Sequence, residues 1–426
     1  MPVYVPGSGK DLSLKIMPRG RGFCRRAAYH AARVRIFRAG GVMVKKVGVL
    51  GSTGSIGVQT LEVARLRGFD VIALAAHSDY KTVENQLRAF KPAMAAMADE
   101  TAAAELKTRV RDTSVKILSG MEGVCECAAA GADTVLNGIV GMAGLRPTLA
   151  AVGAGSDIAL ANKETLVAAG RFVMEKAAEK GVKILPVDSE HSAVFQALQG
   201  CSNTKDIKRI ILTASGGPFF GKTAAELENV TASQALNHPN WRMGAKITVD
   251  SATMMNKGLE LIEAVWLFGV RPEKVDILVH RQSVVHSLVE FCDNSVLAQL
   301  GVPDMRIPIQ YALTYPDRYE SPVRQLNLEE WGTLTFDAPD HETFPAMNLC
   351  RRAVTLGGLR PAAANSANEE ANRLFREGKI QFTQIVREVE QAVEAAPAAI
   401  DYTLDDVMET DRLIRTRVIE NARKFS

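Results

Sequence analysis

The sequence predicts an α/β protein: an N-terminal Rossmann-like parallel-sheet domain, a central α+β domain and a C-terminal helical domain. Three observations predict it. A strand, a glycine loop, a helix and a second strand follow one another from Lys45. Short apolar runs then alternate with helical segments as far as Val187, the mark of a helix-covered parallel sheet. The last 80 or so residues repeat their apolar side chains at helical spacing.

Ahead of the first strand, residues 1–43 carry nine basic side chains and one acid, Asp11. This leader is Arg-rich, with Ser8 and Ser13 as its serines and no signal-type apolar core, so an organelle transit peptide is one reading. The preferred reading takes Met43, directly before Val-Lys-Lys, as the true first residue and expects residues 1–42 to be poorly ordered. The rest of the chain holds 42 basic and 47 acidic side chains, so the formal charge of +3 conceals a mildly acidic body. That removes the electrostatic case for a nucleic-acid partner.

Val47–Leu50 reads as the first strand, followed by Gly51-Ser-Thr-Gly54-Ser-Ile-Gly57 and a helix with Val58, Leu61, Ala64 and Leu66 on its apolar side. Val71–Ala76 completes the unit. Ala93–Met97, Val115–Leu118, Thr134–Leu136, Ile158–Leu160 and Ile184–Val187 are the further strand candidates. The domain is expected to span residues 44–188. A mixed region, 189–315, has strand-like runs at Arg209–Thr213, Ile277–Val279 and Ser295–Leu300. Residues 316–345, with four prolines and little periodicity, read as a linker. Within 346–426 the spacing predicts helices over Ala362–Arg376, Phe382–Ala395 and Leu404–Phe425.

At 47% hydrophobic and 23% charged residues the composition is that of a globular chain. No uncharged apolar run reaches the roughly 18 residues that a membrane span needs. Six cysteines without a CxxC pair argue against a disulfide framework or a thiolate zinc site and fit a reducing cytoplasm.

Several motifs carry chemistry. The glycine loop opens a helix after a strand, where backbone N–H groups and the positive dipole end suit a pyrophosphate. It lacks the Lys-Ser/Thr of a P-loop, and a purely structural turn is the competing reading. No carboxylate stands directly at the end of the second strand, which leans towards NADP, while Asp79 in His77-Ser78-Asp79 weakens that lean. Asp188-Ser189-Glu190 follows a strand-like run. If extended there, both acids face one side and suit a hard cation such as Mg²⁺ or Mn²⁺; two solvated loop acids are the plainer reading. His238-Pro-Asn-Trp241-Arg-Met-Gly244 is a loop whose Trp either covers a ligand or anchors the loop. Ser251, Asn256, Lys257 and Glu260 sit at the start of a helix. They form either a phosphate cradle with Glu260 turned to a metal, or a cap with a surface ion pair. Ser215-Gly216-Gly217 adds an anion-competent turn. Lys163, in Asn162-Lys163-Glu164 after another strand, polarises a substrate oxygen or is simply solvated.

Taken together, GSTGSIG, ALANKETLV, LPVDSEHSA, TASGGPF, HPNWRMGAKITVDSATMMNKGLELIEA and PDMRIPIQYAL strongly resemble the 1-deoxy-D-xylulose 5-phosphate reductoisomerase family, from about Lys45 to the C-terminus. The resemblance implies an NADPH- and metal-dependent oxidoreductase. It would convert 1-deoxy-D-xylulose 5-phosphate to 2-C-methyl-D-erythritol 4-phosphate in non-mevalonate isoprene biosynthesis. It implies NADPH contacts at Thr53, Gly54, Ser55 and Ile56, at His77, Ser78 and Asp79, and at Asn162, Glu164 and Gly244. It implies Asp188, Glu190 and Glu260 as ligands of Mg²⁺ or Mn²⁺. Ser189, Lys163 and Asn256 would meet the substrate's oxygens, and Ser215, Ser251, Asn256 and Lys257 its phosphate. His238 and Trp241 would belong to a closing loop, with Lys163 and His238 among the catalytic groups. A cytoplasmic homodimer acting on a small phosphosugar is implied, its central domain serving catalysis and dimerisation. The sequence departs from the family at His77-Ser78-Asp79, where members more often show a small or basic residue followed by Asn. These residues leave open a retroaldol–aldol or a concerted α-ketol route, the choice of Mg²⁺ or Mn²⁺, and the effect of Asp79 on NADPH over NADH. Two other classes remain: a non-redox metal-dependent phosphosugar isomerase or aldolase, which needs no glycine loop, and a non-catalytic dinucleotide-binding regulator, which needs no acids.

Overall fold

The computed structural model describes residues 44–201, 203–241, 243–397 and 401–424. The basic leader, with the expectation of disorder placed on it, lies outside these described residues, as does Arg242. Met43–Ser426 forms one compact unit.

Seven parallel strands make the first sheet: β1 Lys46–Leu50, β2 Asp70–Ala76, β3 Met94–Met97, β4 Lys116–Ser119, β5 Thr134–Asn137, β6 Asp157–Leu160 and β7 Ile184–Pro186. Their order is β4-β3-β2-β1-β5-β6-β7, and all pairs are parallel, as the alternating pattern predicts. Chain direction across the sheet reverses between β1 and β5, and ligands of open α/β sheets collect at the carboxyl ends beside such a reversal. The inner strands are apolar on both sides because helices cover both faces. The strand expected over Ile184–Val187 stops at Pro186, and the one expected from Ala93 starts at Met94.

The first helix, Ser55–Arg67, is turned relative to expectation. Val58 and Leu66 are 39% and 51% exposed, while Gly57, Thr60, Leu61, Val63 and Ala64 are buried. Close approach to the sheet, not side-chain size, decides the face. A Cβ on Gly57 would stand 2.2 Å from the Gly51 carbonyl oxygen and 2.5 Å from the Ser52 Cα. Thr60 joins the interior because its hydroxyl donates to the Ile56 carbonyl at 2.7 Å.

The second sheet comprises β8 Ile207–Ala214, β9 Val275–Val279, β10 Val285–Phe291 and β11 Val296–Leu300, in the order β11-β10-β8-β9. Its one parallel pair is β8 with β9. The sequence pattern does not predict β10. His286, Ser287 and Glu290 interrupt its apolar run, yet each is buried, and Glu290 is paired with Lys208 at 2.6 Å and Arg209 at 2.5 Å. Residues 316–345 hold a short helix, Leu328–Trp331, and a bridge from Asp337 to Val279. The C-terminal helices are Ala346–Leu356, Arg360–Arg376, Phe382–Ala395 and Leu404–Lys424. They share one apolar core with β8 and helix Met255–Phe268, through residues such as Leu212, Leu259, Ile262, Cys350 and Ala367. No helix among the described residues is long and apolar enough to cross a membrane.

Gly57→Ala is expected to lower the melting temperature by several degrees, on the order of 1–3 kcal/mol of overpacking, because the atoms in its way are backbone. Gly54→Ala, whose Cβ meets one atom at 3.4 Å, is expected to melt like the parent. A differential scan of both variants checks the contrast.

Candidate functional site

The glycine loop is formed by contacts that need glycine at its two ends and leave the middle open. Gly51 has φ +77°, and its N–H donates to the Ala75 carbonyl at 2.8 Å, tying the loop to the end of β2. Gly54 caps helix Ser55–Arg67 without any side-chain cap bond, so the first N–H groups of that helix point outward. Gly54, Ser55 and Ile56 line a cleft of about 1020 Å³, and Thr53 is not among its lining residues.

The same cleft reaches residues far along the chain: Asp188, Ser189 and Glu190, then Asn256, Lys257 and Glu260. The convergence of Asp188 and Glu190 does not arise from strand alternation. Asp188 is the N-cap of helix Ser189–Ala197, accepting from the Glu190 N–H at 3.4 Å, and Glu190 lies in that helix's first turn. Helix Met255–Phe268 brings Glu260 opposite them. Carboxylate oxygens of Asp188, Glu190 and Glu260 lie within 4.8 Å of one another, a donor set of hard oxygens suited to a divalent cation. A second group, Asp188, His191 and Glu263, lies directly beneath.

Two lysines stand among these acids. Lys163 is 5% exposed and Lys257 4%, so neither the solvated lysine nor the surface ion pair describes them. Lys163 Nζ lies 2.5 Å from Asp188, 2.9 Å from Glu260 and 2.8 Å from the Asn256 amide oxygen. Lys257 Nζ lies 2.9 Å from Glu190 and contacts Glu260. Burial opposes the charge on Lys163, but Asp188, Glu260 and Glu263 outweigh it and hold its pKa well above the ordinary value. Burial pushes the Glu190 carboxyl up to about 7, and Glu260 and Asp188 add to the rise against Lys257. Three acids with two cations leave this pocket electron-rich, which is the condition a divalent ion satisfies.

The neighbouring corner suits an anion. Ser215 leads into Gly216 and Gly217, with φ +79° and +68°, and a Cβ on Gly217 would stand 2.5 Å from the Ser251 carbonyl oxygen. The turn therefore packs closely against Ser251. His238 Nδ1 accepts from the N–H groups of Asn240 at 3.2 Å and Trp241 at 3.0 Å. That leaves its proton on Nε2, which donates to the Ser215 hydroxyl at 3.0 Å. Burial lowers the His238 pKa to about 4, so the ring is neutral at pH 7. Trp241 is half-buried over this corner, in a loop that ends at Gly244, the N-cap of helix Ala245–Ala252.

Not every expected residue faces the cleft. Asn162 is 2% exposed and serves as a cap: its oxygen accepts from the Thr165 N–H at 2.8 Å and its amide donates to the Gly141 carbonyl at 2.8 Å. It shapes the 138–144 loop from behind. His77, Ser78 and Asp79 are exposed at the end of β2, outside the cleft lining. Asp79 caps helix Tyr80–Phe90, and its hydrogen bonds from Thr82 lower its pKa. Glu164 does line the cleft, paired with Lys246. Sequence reasoning missed Lys246, Asp250, His286, Asp304 and Arg306 in the lining. The four-residue spacing of Lys246 and Asp250 was a readable signal for that pair; His286 sits on the strand the pattern did not reveal.

The chain matches the family described as 1-deoxy-D-xylulose 5-phosphate reductoisomerase over residues 47–170, that family's C-terminal domain over 184–268, and a further DXP reductoisomerase C-terminal domain over 300–417. A 1-deoxy-D-xylulose 5-phosphate reductoisomerase of Acetivibrio thermocellus is 52% identical over 379 residues, covering 89% of this chain and 99% of the relative. One from Chlorobaculum tepidum is 50% identical over 385 residues, covering 90% and 100%. Among solved structures, the Zymomonas mobilis enzyme in complex with NADPH is similar at a TM-score of 0.83 and 43% identity, over 89% of this chain and 99% of that one. A DOX-P reductoisomerase in complex with NADPH, fosmidomycin and magnesium is similar at a TM-score of 0.85 and 40% identity, over 89% and 98%.

The low pKa of His238 has a direct consequence. Its ring resonances in a pH-dependent NMR titration should move with a midpoint near 4 and stay constant from pH 6 to 8. A midpoint near 6.5 would mean that the ring is solvated and the Ser215 contact is not made.

Proposed function

The chain belongs to the 1-deoxy-D-xylulose 5-phosphate reductoisomerase family, and we propose that its cleft carries out that family's reaction through the residues described above. The enzyme rearranges 1-deoxy-D-xylulose 5-phosphate and reduces the product with NADPH to 2-C-methyl-D-erythritol 4-phosphate, a step of isoprenoid synthesis. The observation that carries the residue assignment is the convergence in one cleft of a glycine-loop helix start, three carboxylates within 4.8 Å and a hydroxyl–glycine turn.

Asp188, Glu190 and Glu260 would hold Mg²⁺ or Mn²⁺, and Thr53, Gly54, Ser55 and Ile56 would receive the NADPH pyrophosphate. When bound, the cation supplies Lewis acidity to the substrate's carbonyl and hydroxyl oxygens, and NADPH supplies the hydride. Lys163, fixed between Asp188, Glu260 and Asn256, presents a permanent positive charge to the sugar oxygens. The Ser189 hydroxyl donates to Glu190 at 2.6 Å and stands next to the same oxygens. Ser215, Ser251, Asn256 and Lys257 receive the phosphate, with neutral His238 beside them directing the Ser215 hydroxyl through its Nε2–H. Trp241 covers that end and excludes water. Phosphate binding remote from the reacting carbons supplies energy for this closure. Glu164 and Gly244 lie on the nicotinamide side; Asn162 serves that side indirectly through the 138–144 loop, and His77, Ser78 and Asp79 stand where the adenine ribose would reach the end of β2.

In this reading residues 44–188 bind the cofactor, 189–315 carry the metal and the dimer contact, 316–345 link, and 346–426 buttress. Edge strand β11, exposing Val296 at 48% and Leu297 at 50%, supports a homodimer. The five cysteines among the described residues are all free, which supports a cytoplasmic location.

Incubation with NADPH, a divalent cation and deoxyxylulose phosphate should give a metal-dependent fall in absorbance at about 340 nm; constant absorbance would sink the assignment. Glu260→Gln should cut turnover by at least about 100-fold while NADPH binding, followed by fluorescence, stays close to the parent. Asp79→Asn keeps a competent cap and removes a charge facing a 2′-phosphate, so the ratio of kcat/KM for NADPH over NADH should rise. An unchanged ratio would detach Asp79 from cofactor choice.

A further inference from the structure

The C-terminal helix Arg360–Arg376 turns an unusually polar face inward. Asn365, Asn368 and Asn372 are all fully buried, and with Glu369 they fall at the i, i+3, i+4, i+7 positions of one stripe. Burying amides and a carboxylate costs free energy unless each finds a partner. The side-chain oxygens of Asn365 and Asn368 stay unpartnered, but Glu369, Asn368 and Asn372 reach two segments that frame the cleft.

One segment is the loop after β5. Glu369 accepts from the Met142 N–H at 3.1 Å, and Asn365 donates to the same carboxylate oxygen at 2.9 Å. Gly141 has φ +75°, and a Cβ there would stand 2.7 Å from the other oxygen of Glu369. The carboxylate thus fills the place a side chain would occupy. From outside, Arg415 holds Glu369 at 2.5 Å and is itself held by Asp411 at 2.9 Å. Gly138, Ile139 and Val140 of this loop line the cleft, whereas Glu369 does not. The other segment is the first turn of helix Ala245–Ala252, directly after the loop that carries Trp241. Asn372 donates to the Lys246 carbonyl at 2.9 Å, and Asn368 and Asn372 both donate to Asp250 at 2.8 Å.

We propose that Glu369 is a positioning residue for the nicotinamide cofactor: through the Met142 N–H and the space beside Gly141 it fixes the 138–142 wall, on the same helix face that anchors the base of the covering loop. Glu369 then sets the spacing between hydride donor and substrate from outside the cleft lining. This rests on the reading of that wall as the NADPH side of the cleft.

The test is NADPH affinity of the intact protein, measured by fluorescence without substrate, beside KM for the sugar phosphate. Glu369→Ala should raise the NADPH Kd by about tenfold, as expected for losing a buried charge-assisted hydrogen bond, with a much smaller change in substrate KM. Glu369→Gln keeps an oxygen for the Met142 N–H and should restore most of the affinity. Gly141→Ala should weaken NADPH binding in the parent and weaken it less on the Glu369→Ala background, where the carboxylate in its way is gone. Parent-like affinity in Glu369→Ala overturns the proposal, as does equal loss of cofactor and substrate affinity in both Glu369 variants. Should Glu369→Ala fail to fold, the shorter Glu369→Asp combined with Gly141→Ala decides: an additive pair overturns the proposal, and a coupled pair supports it. A parent protein that binds no NADPH would instead overturn the cofactor reading itself.

Discussion

The structure depends on a buried electrostatic compromise. Asp188, Glu190 and Glu260 are withdrawn from water, and a carboxylate in that position persists only with a partner. Lys163 reaches them from the helix after β6, Lys257 from the helix that also carries Glu260. Beneath them His191 pairs through Nδ1 with Glu263 at 3.0 Å and donates from Nε2 to the Glu260 carbonyl at 2.9 Å. Burial would lower the His191 pKa, but Glu263 and Asp188 raise it to about 9, so it adds a third cation. None of these charges is tolerable alone. The segment after β6, the helix start after β7 and helix Met255–Phe268 must therefore meet, and their meeting closes the parallel sheet against the second sheet.

Around that cluster the polar architecture has one logic: groups that face the cleft are held by groups that do not. Asn162 sets the 138–144 loop, His238 sets the Trp241 loop through two backbone N–H groups, and the buried asparagines of helix Arg360–Arg376 hold Asp250 and the Lys246 carbonyl. Such supports keep the facing groups in place before any ligand arrives, which lowers the cost of ordering them on binding.

Much of this was legible in the sequence, and the exceptions have physical causes. The parallel strands were readable because both faces are covered, so each appears as an unbroken apolar run between glycine or polar loops. β10 was hidden because its buried positions include the polar His286, Ser287 and Glu290, and the cations that compensate Glu290, Lys208 and Arg209, lie far off in the chain. The rotation of helix Ser55–Arg67 was unreadable from apolar spacing because close backbone approach at Gly57 fixes it. Asp188 and Glu190 were identified, but by a strand geometry that the chain does not adopt; a helix N-terminus brings them together instead. The lysines looked like surface residues because a single position says nothing of the acids that bury it. Asn162 was assigned to the cofactor although its hydrogen bonds are spent on the loop, a distinction that depends on side-chain direction and not on spacing.

The lysines among the acids have one more consequence. A metal site built from carboxylates alone would repel itself open without its ion, and such a protein unfolds under chelation. Here Lys163 and Lys257 act as resident counter-ions, so the chain itself supplies most of the charge compensation that its fold requires. Scarcity of divalent ions would then silence the enzyme without feeding it to proteases. A cell would keep a standing stock of folded protein that resumes work as soon as the ion returns.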